Sequence, residues 1–304
     1  MRLLLALALC CALPALALEP IRVSQSVYYV RGETGLPSTA NRGFTSNAGF
    51  VVTREGVVVF DALGTPALGK ELLDAIREIT LVPIRRVVVS HYHADHFYGL
   101  AAFKKAGAEI WANRAARGYL ASEAARQRLA ERRQSLAPWV GADMRLIPAD
   151  RWLDRETSFQ LDGLTFRIFP VGPAHTPEDL VMAVEEENVL FVGDLIFSGR
   201  VPFVGEADSK AWIAAIDRIA EFKPKVMIPG HGDASRDPAA DLRLTRDYLV
   251  YLREKMGAAA EELEDFEVAY ARTDWSRFAQ LPAFEAVNRR NAYNTYIRMQ
   301  GGDK

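Results

Sequence analysis

The residues from Arg85 to Leu100, Arg-Arg-Val-Val-Val-Ser-His-Tyr-His-Ala-Asp-His-Phe-Tyr-Gly-Leu, constrain this chain more than any other stretch. Val87 to Val89 is a β-branched run that reads as a buried strand, and a helix is expected to begin near Phe97. Between them, three imidazoles and a carboxylate fall within six residues, although the whole chain has only five histidines. His91 and His93 are two apart, so in extended backbone their side chains leave the same face. Asp95 and His96 follow where the chain must turn, which lets them point toward a second ion. Neutral imidazole nitrogen combined with carboxylate oxygen suits zinc, and iron or manganese less selectively. A lone surface histidine needs no such explanation, but a cluster this dense reads as a metal grip.

The other two histidines occur in similar settings. His175 lies in Gly-Pro-Ala-His-Thr-Pro-Glu-Asp and His231 in Ile-Pro-Gly-His-Gly, turn-rich stretches that follow the apolar runs Thr165 to Val171 and Lys225 to Ile228. A further strand, Val189 to Val192, ends at Gly193-Asp194. Four apolar strands would thus each deliver a ligand-type residue at the C-terminal end. The His-x-His-x-Asp-His run at 91 to 96, His-Thr-Pro at 175 to 177, Gly-Asp at 193 to 194 and Pro-Gly-His-Gly at 229 to 232 resemble the metallo-β-lactamase superfamily, over about Val27 to Gly232. The resemblance implies an α/β fold, the four-layer αβ/βα sandwich with two sheets face to face and helices outside. Carried over position by position, His91, His93 and His175 would hold a first metal and Asp95, His96 and His231 a second, with Asp194 bridging them. It also implies that Asp61, at the end of the buried strand Val57 to Phe60, braces the metal loop from behind.

The first seventeen residues look like an export signal. Arg2 is their only charge, Leu3 to Leu13 is apolar, and Ala15-Leu16-Ala17 is a small-x-small cleavage site. The apolar run is too short for a stable membrane span, so the expected location is the periplasm or the exterior, with no membrane contact after cleavage. A lipoprotein anchored at Cys10 or Cys11 is the alternative, and Leu9 before Cys10 disfavours it. Both cysteines of the chain lie in this segment, so a cleaved chain would have no disulfide, cysteine nucleophile or thiolate ligand. A formal charge of −2 with no basic tract argues against nucleic acid as a partner and for a small-molecule substrate.

Three segments are expected: the signal at 1–17, a sandwich domain at 18–233 and a C-terminal helical extension at 234–304. Val27 to Val30 and Ala48 to Val52 read as strands joined by the loop Gly32 to Ser46. Phe44 in that loop could cover an apolar part of the substrate, or be an ordinary packed aromatic. Thr65 and Pro66 look like an N-cap and first helical residue, with Leu68, Leu72, Ile76 and Ile79 forming the apolar stripe. Asn113 to Gln134 reads as one long helical insertion with a solvated charged face. Ser158 to Gln160 and Thr165 to Pro170 suit a hairpin turning at Asp162-Gly163. Asp208 should cap a helix with Trp212, Ile213, Ile216 and Ile219 on the sheet. Asp237-Pro238 should open another, and Phe284 to Met299 a closing one containing Asn288, Asn291 and Tyr293. For these last helices a packing role is expected.

Two zinc ions about 3.5 to 4 Å apart could share one water and bring its pKa from near 16 to about 7, making hydroxide available to attack a carbonyl without a serine or cysteine nucleophile. One ion would polarise that carbonyl, and Asp95 could orient the nucleophile or take its proton. The carbonyl could be a thioester, ester or lactam. Superfamily β-lactamases usually carry Cys or Ser at position 194, whereas glyoxalase II-type thioesterases carry Asp, so the ligand set resembles the latter. Export fits lactam hydrolysis better than hydrolysis of cytosolic glutathione thioesters. An iron-dependent persulfide-oxidising enzyme on the same fold, and a metal-holding accessory protein without turnover, are the other readings. Candidate substrate contacts are Arg200, six residues past Asp194 and able to pair a substrate carboxylate, with Phe97, Tyr98 and Phe203 as walls.

Overall fold

A computed structural model of the chain describes residues 18–205 and 207–302, so the expected export signal lies outside the described residues. The strand Val57–Phe60 shows how the layers arise. All four of its residues are buried, but Val57 and Val59 point to one cluster and Val58 and Phe60 to another. Alternate side chains leave opposite faces of a sheet, so a strand that is apolar at every position needs cover on both sides.

In chain order the elements are β1 (Ile21–Arg22), β2 (Val27–Val30), β3 (Ala48–Val52), β4 (Val57–Phe60), α1 (Pro66–Ile79), β5 (Ile84–Val88), α2 (Ala94–Phe97), α3 (Leu100–Lys105), β6 (Glu109–Asn113), α4 (Arg117–Leu120), α5 (Glu123–Ser135) and β7 (Arg151–Leu153). There follow β8 (Thr157–Leu161), β9 (Leu164–Pro170), β10 (Leu180–Val184), β11 (Val189–Phe197), α6 (Ser209–Ala220), β12 (Val226–His231), α7 (Pro238–Glu261), α8 (Phe266–Arg272) and α9 (Phe284–Gln300). Strands β1 to β7 form one sheet in sequence order, antiparallel to β4 and parallel from there. The second sheet runs β12-β11-β10-β9-β8, with only the β11–β12 pair parallel. Val51, Val58, Phe60, Val88 and Trp111 of the first sheet meet Phe166, Ile168, Met182, Phe191 and Val226 of the second in the central core. Outer layers pack α1 and α3 on the first sheet, and α6, α7 and α9 on the second. This is the expected αβ/βα sandwich.

Local signals explain many of the boundaries. Thr65 accepts from the Leu68 amide, Asp208 from Ala211 and Asp237 from Ala240, each capping the helix that follows. Asp162 and Gly163 both have positive φ, as a two-residue hairpin requires. The structure also corrects several expectations. The helix after the metal motif begins at Ala94, so Asp95 and His96 sit inside a single helical turn. The insertion is broken into a 3-10 turn, α4 and α5, because Asn113 and Ser122 each cap a new start. Ile79 lies at the fraying end of α1 and is exposed, while Leu68, Leu72 and Ile76 are buried. Asp194 is mid-strand in β11, where the register with β12 shifts on either side of Gly193.

The C-terminal helices share one core with the outer face of the second sheet. Tyr248, Leu249, Leu252 and Met256 of α7, with Val287 and Tyr296 of α9, join Phe169, Val192 and Phe197 in a single cluster. No helix among the described residues is long and apolar enough to cross a membrane.

Candidate metal centre

His91, His93, Asp95 and His96 follow β5, His175 follows β9, Asp194 lies within β11 and His231 ends β12, so four strands deliver the titratable residues to one place. The structure brings seven of these side chains into two adjoining groups: His91, His93, His175 and Asp194, then Asp95, His96 and His231, with the ligand atoms of each group within 4.8 Å of one another. His175 Nε2 lies 3.0 Å from His93 Nδ1. A single carboxylate spans both groups. Asp194 Oδ2 is 3.4 Å from His175 Nε2 and 3.3 Å from His231 Nε2, and Oδ1 is 3.2 Å from His96 Nε2. Asp95 Oδ2 stands 3.4 Å from His231 Nε2.

Glycine makes this approach possible at two places. Gly193 has φ +51°, and a Cβ there would lie 2.8 Å from Ser90 Cβ. At Gly230, on the neighbouring strand, a Cβ would fall 2.0 Å from Asp194 Oδ1. The carboxylate therefore occupies space that any other residue at 230 would fill.

The ring tautomers follow from a connected network. Ser90 donates its hydroxyl to Asp61 Oδ2 at 2.7 Å, so its oxygen accepts from His91 Nδ1 at 2.9 Å. His96 Nδ1 donates to Asp61 Oδ2 at 2.8 Å, and His231 Nδ1 to the Thr45 carbonyl at 2.7 Å. In all three Nδ1 carries a proton and Nε2 faces the site, the arrangement that outer hydrogen bonds impose on metal-binding imidazoles. Asp61, which also receives the Ser90 amide at 2.7 Å, adopts φ +65° to do this.

Burial pulls the His93 imidazole down to about 4 and His175 to about 3, despite Asp194 nearby. His91 is pushed well below its usual value by burial and by His96 and His93. His96 is also buried, but the carboxylates of Asp194, Asp95 and Asp61 outweigh this and hold it well above the usual range. Burial acts against charge on Asp194, yet His231 and His96 keep its pKa well below the ordinary carboxylate value.

Whether these residues fit a cation can be judged from their unpaired atoms. His91 Nε2 is buried without a hydrogen-bond partner, and His96 Nε2 and Asp194 Oδ1 have only each other, 3.2 Å apart. Leaving such atoms unpaired costs about 1 to 3 kcal/mol each. A borderline cation bound by imidazole nitrogen and carboxylate oxygen removes that cost, and the donor chemistry matches zinc. The residues fit.

Sequence reasoning missed three supports. Ser90 orients His91 and ties it to Asp61. Thr45 donates to Asp95 Oδ2 at 3.2 Å while its carbonyl orients His231. Asn47 donates to the Pro229 and Gly232 carbonyls at 2.8 and 2.9 Å, stitching the β2–β3 loop to the His231 loop. The signal was available, since Thr45-Ser46-Asn47 and Ser90 are polar residues directly beside buried apolar strands. The proposed substrate contacts are placed differently from expectation. Phe97 and Tyr98 are buried, Phe97 against Tyr92 and Tyr98, in the core behind the metal loop rather than as walls. Phe44 is half-buried against the same core, and Phe203 is half-buried with the Arg290 guanidinium 5.5 Å from its ring. Arg200 is only 5% exposed and near enough to Asp194 and Asp95 to feel their charge, its guanidinium carbon 5.7 Å from the Phe197 ring, which stacks on His231 at 5.2 Å.

The profile of the metallo-beta-lactamase superfamily matches residues 41–231. Among characterised proteins the chain is similar to a linear primary-alkylsulfatase of Pseudomonas sp. (strain ATCC 19151), 24% identical over 237 residues, which covers 66% of this chain and 44% of that protein. It is also similar to the metallo-beta-lactamase IND-1 of Chryseobacterium indologenes, 23% identical over 219 residues, covering 70% and 81% respectively. Among solved structures, the sec-alkylsulfatase Pisa1 from Pseudomonas sp. superposes with a TM-score of 0.73 at 18% identity, over 94% of this chain and 50% of that one. A metallo-beta-lactamase from Pontibacter korlensis gives 0.61 at 23% identity, over 77% of this chain and 99% of that one. The chain thus spans half or less of the alkylsulfatases it matches, and the superposition on Pisa1 reaches further along it than that on the lactamase.

Proposed function

The chain belongs to the metallo-beta-lactamase superfamily, and from that premise we propose that it is a dinuclear zinc hydrolase acting on a carbonyl of a thioester, ester or lactam. The observation that carries the reading is the convergence of seven ligand atoms in two adjoining groups with Asp194 common to both. His91, His93, His175 and Asp194 would hold one ion, and Asp95, His96, His231 and Asp194 the other. Zinc bound there would lower the pKa of water from near 16 to about 7 and polarise the bond under attack.

The protein's own groups do the rest. Asp61, Ser90 and the Thr45 carbonyl fix three imidazoles in one tautomer, so the centre needs no reorganisation when it is loaded. Asp95 is the ligand carboxylate with most access to solvent, its side chain 22% exposed. Thr45 donates to its Oδ2, which holds the group in place while it orients the attacking water or accepts its proton. The absence of cysteine beyond residue 11 leaves no thiol to act as nucleophile.

A periplasmic or secreted location rests on the N-terminal sequence and belongs to the same proposal. Relatives named as β-lactamases and alkylsulfatases supply the competing substrates, lactams and sulfate esters. The test is metal analysis of protein purified without added metal, followed by assay on nitrocefin, lactoylglutathione, an aryl acetate and an alkyl sulfate. Two zinc ions per chain and turnover of one of the carbonyl compounds is the expected result. One iron per chain with oxygen uptake would replace hydrolysis by the persulfide-oxidising reading, and cleavage of the alkyl sulfate alone would move the substrate class.

A further inference from the structure

The loop that joins β2 to β3 braces two of the three ligands of the second group, Asp95 and His231, from outside. Thr45 donates its hydroxyl to Asp95 Oδ2 at 3.2 Å, its carbonyl accepts from His231 Nδ1 at 2.7 Å, and Ser46 donates to the Asp95 carbonyl. The Asn47 amide donates to the Gly230 carbonyl at 2.7 Å, one residue before His231. Among the described residues no hydrogen bond joins this loop to His91, His93 or His175. The second group therefore leans on the loop, and the first does not.

The tip of that loop is held from elsewhere in the chain. Asn41 shapes it, its side chain accepting from the Ser38 amide at 2.8 Å and the Gly43 amide at 3.0 Å. Trp139, in the segment between α5 and β7, donates its indole N–H to the Thr39 carbonyl at 3.0 Å across 100 residues of chain. Arg42 pairs with Glu71 of α1 at 2.6 Å, and its guanidinium carbon lies 5.7 Å from the centre of the Trp139 ring. The two side chains of that pair are only 17% and 22% exposed, so solvent screens it less than an open surface pair. Leu136 is buried against Gly43, where a Cβ would sit 3.0 Å from its Cδ1. The contact continues to the centre through Gly64, where a Cβ would meet the Gly43 carbonyl oxygen at 2.7 Å and Asp95 Cα at 3.1 Å. Loop tip, start of α1 and metal helix thus touch, and close packing transmits a displacement of one to the next.

We propose that Trp139 is a positioning residue for the second ion, and that the insertion between β6 and β7, through Trp139 and Arg42, sets whether the centre fills with one cation or two. The proposal rests on the dinuclear reading for the ion, but the clamp on His231 does not. A shift of the tip takes Thr45 from Asp95 and His231 together, so that His231 Nε2 and Asp95 Oδ2 no longer converge. His91 keeps its bond to Ser90. Outer hydrogen bonds of this kind are worth about 10- to 100-fold in metal affinity. The loss falls on one group alone, which separates positioning from a general loosening of the fold.

The experiment uses the full chain, stripped of metal and then titrated with zinc against a competing chelator, so that two successive dissociation constants are read. Trp139→Ala is expected to weaken binding of the second ion about tenfold and that of the first less than about twofold. Trp139→Phe keeps the ring beside Arg42 and loses only the N–H, and should fall between parent and alanine variant. Glu71→Gln, at a half-buried position of α1, should shift the second constant in the same direction, and it stands in if the Trp139 variants do not fold. The second readout is solvent exchange of the His231 Nδ1 proton, followed by NMR in the metal-free chain: slow in the parent and fast in Trp139→Ala. Equal weakening of both constants, or no change in either, would overturn the proposal. A parent that binds one zinc at saturation, with the His231 proton protected there and lost in Trp139→Ala, would leave the clamp standing and remove the dinuclear reading instead. One zinc with the proton equally protected in both chains would overturn both.

Discussion

Asp61 and His96 show how single residues set the properties of this centre. Asp61 binds no metal in the proposed scheme, yet it takes the Ser90 amide, the Ser90 hydroxyl and His96 Nδ1 on one buried carboxylate. Asp61→Ala would orphan all three donors, and a loss of about 3 kcal/mol in folding stability is expected by urea denaturation, with His96 no longer held in one tautomer. The two groups of histidines also differ in their protons. His91, His93 and His175 have depressed pKa values, so at pH 7 they are neutral and ready for a cation. His96 is raised well above 6.5, so in the metal-free protein it carries a proton that an incoming ion must displace. Loading the first group should release almost no protons at pH 7, and loading the second about one, as calorimetry in buffers of different ionisation enthalpy would show. On acidification the His96 group should lose its ion first. Release in the reverse order would contradict this assignment of protons.

The parallel pair β11 and β12 is the element that makes a shared carboxylate possible. Register shifts around Gly193 turn Asp194 out of the sheet mid-strand, and Gly230 opposite leaves it room. Gly230→Ala should therefore push the carboxylate from between the two groups. Circular dichroism is expected to remain that of the parent, while plasma emission analysis finds fewer than two metal ions per chain; full occupancy would show that the strands yield more easily than the contact of 2.0 Å suggests. The insertion α5 presents the solvated face expected of it. Ala125 is its only buried residue, and Arg128 and Arg132 lie near enough to bear on Tyr98 in the core behind the metal loop.

At the scale of the whole molecule the C-terminal helices close the outer face of the second sheet, and their core is continuous with Val192 and Phe197 of β11. A chain ending at residue 233 would expose this face, and is expected to be insoluble or to lack a cooperative thermal transition in calorimetry. A soluble, cooperatively folding fragment would show instead that the sandwich stands alone. The sequence by itself placed the seven residues that the structure brings together in short, spaced motifs after apolar strands, and the layered fold was what the resemblance carried by those motifs implied. Caps at Thr65, Asp208 and Asp237 and the Asp162-Gly163 turn were equally local, each depending on residues within a few positions. Only the tertiary structure decided that Asp194 sits in a bulge, that Phe97 and Tyr98 belong to the core, and that Asn291 holds the Arg200 loop. Those facts depend on which surfaces meet across more than eighty residues of chain, and no local pattern of side chains encodes such a meeting.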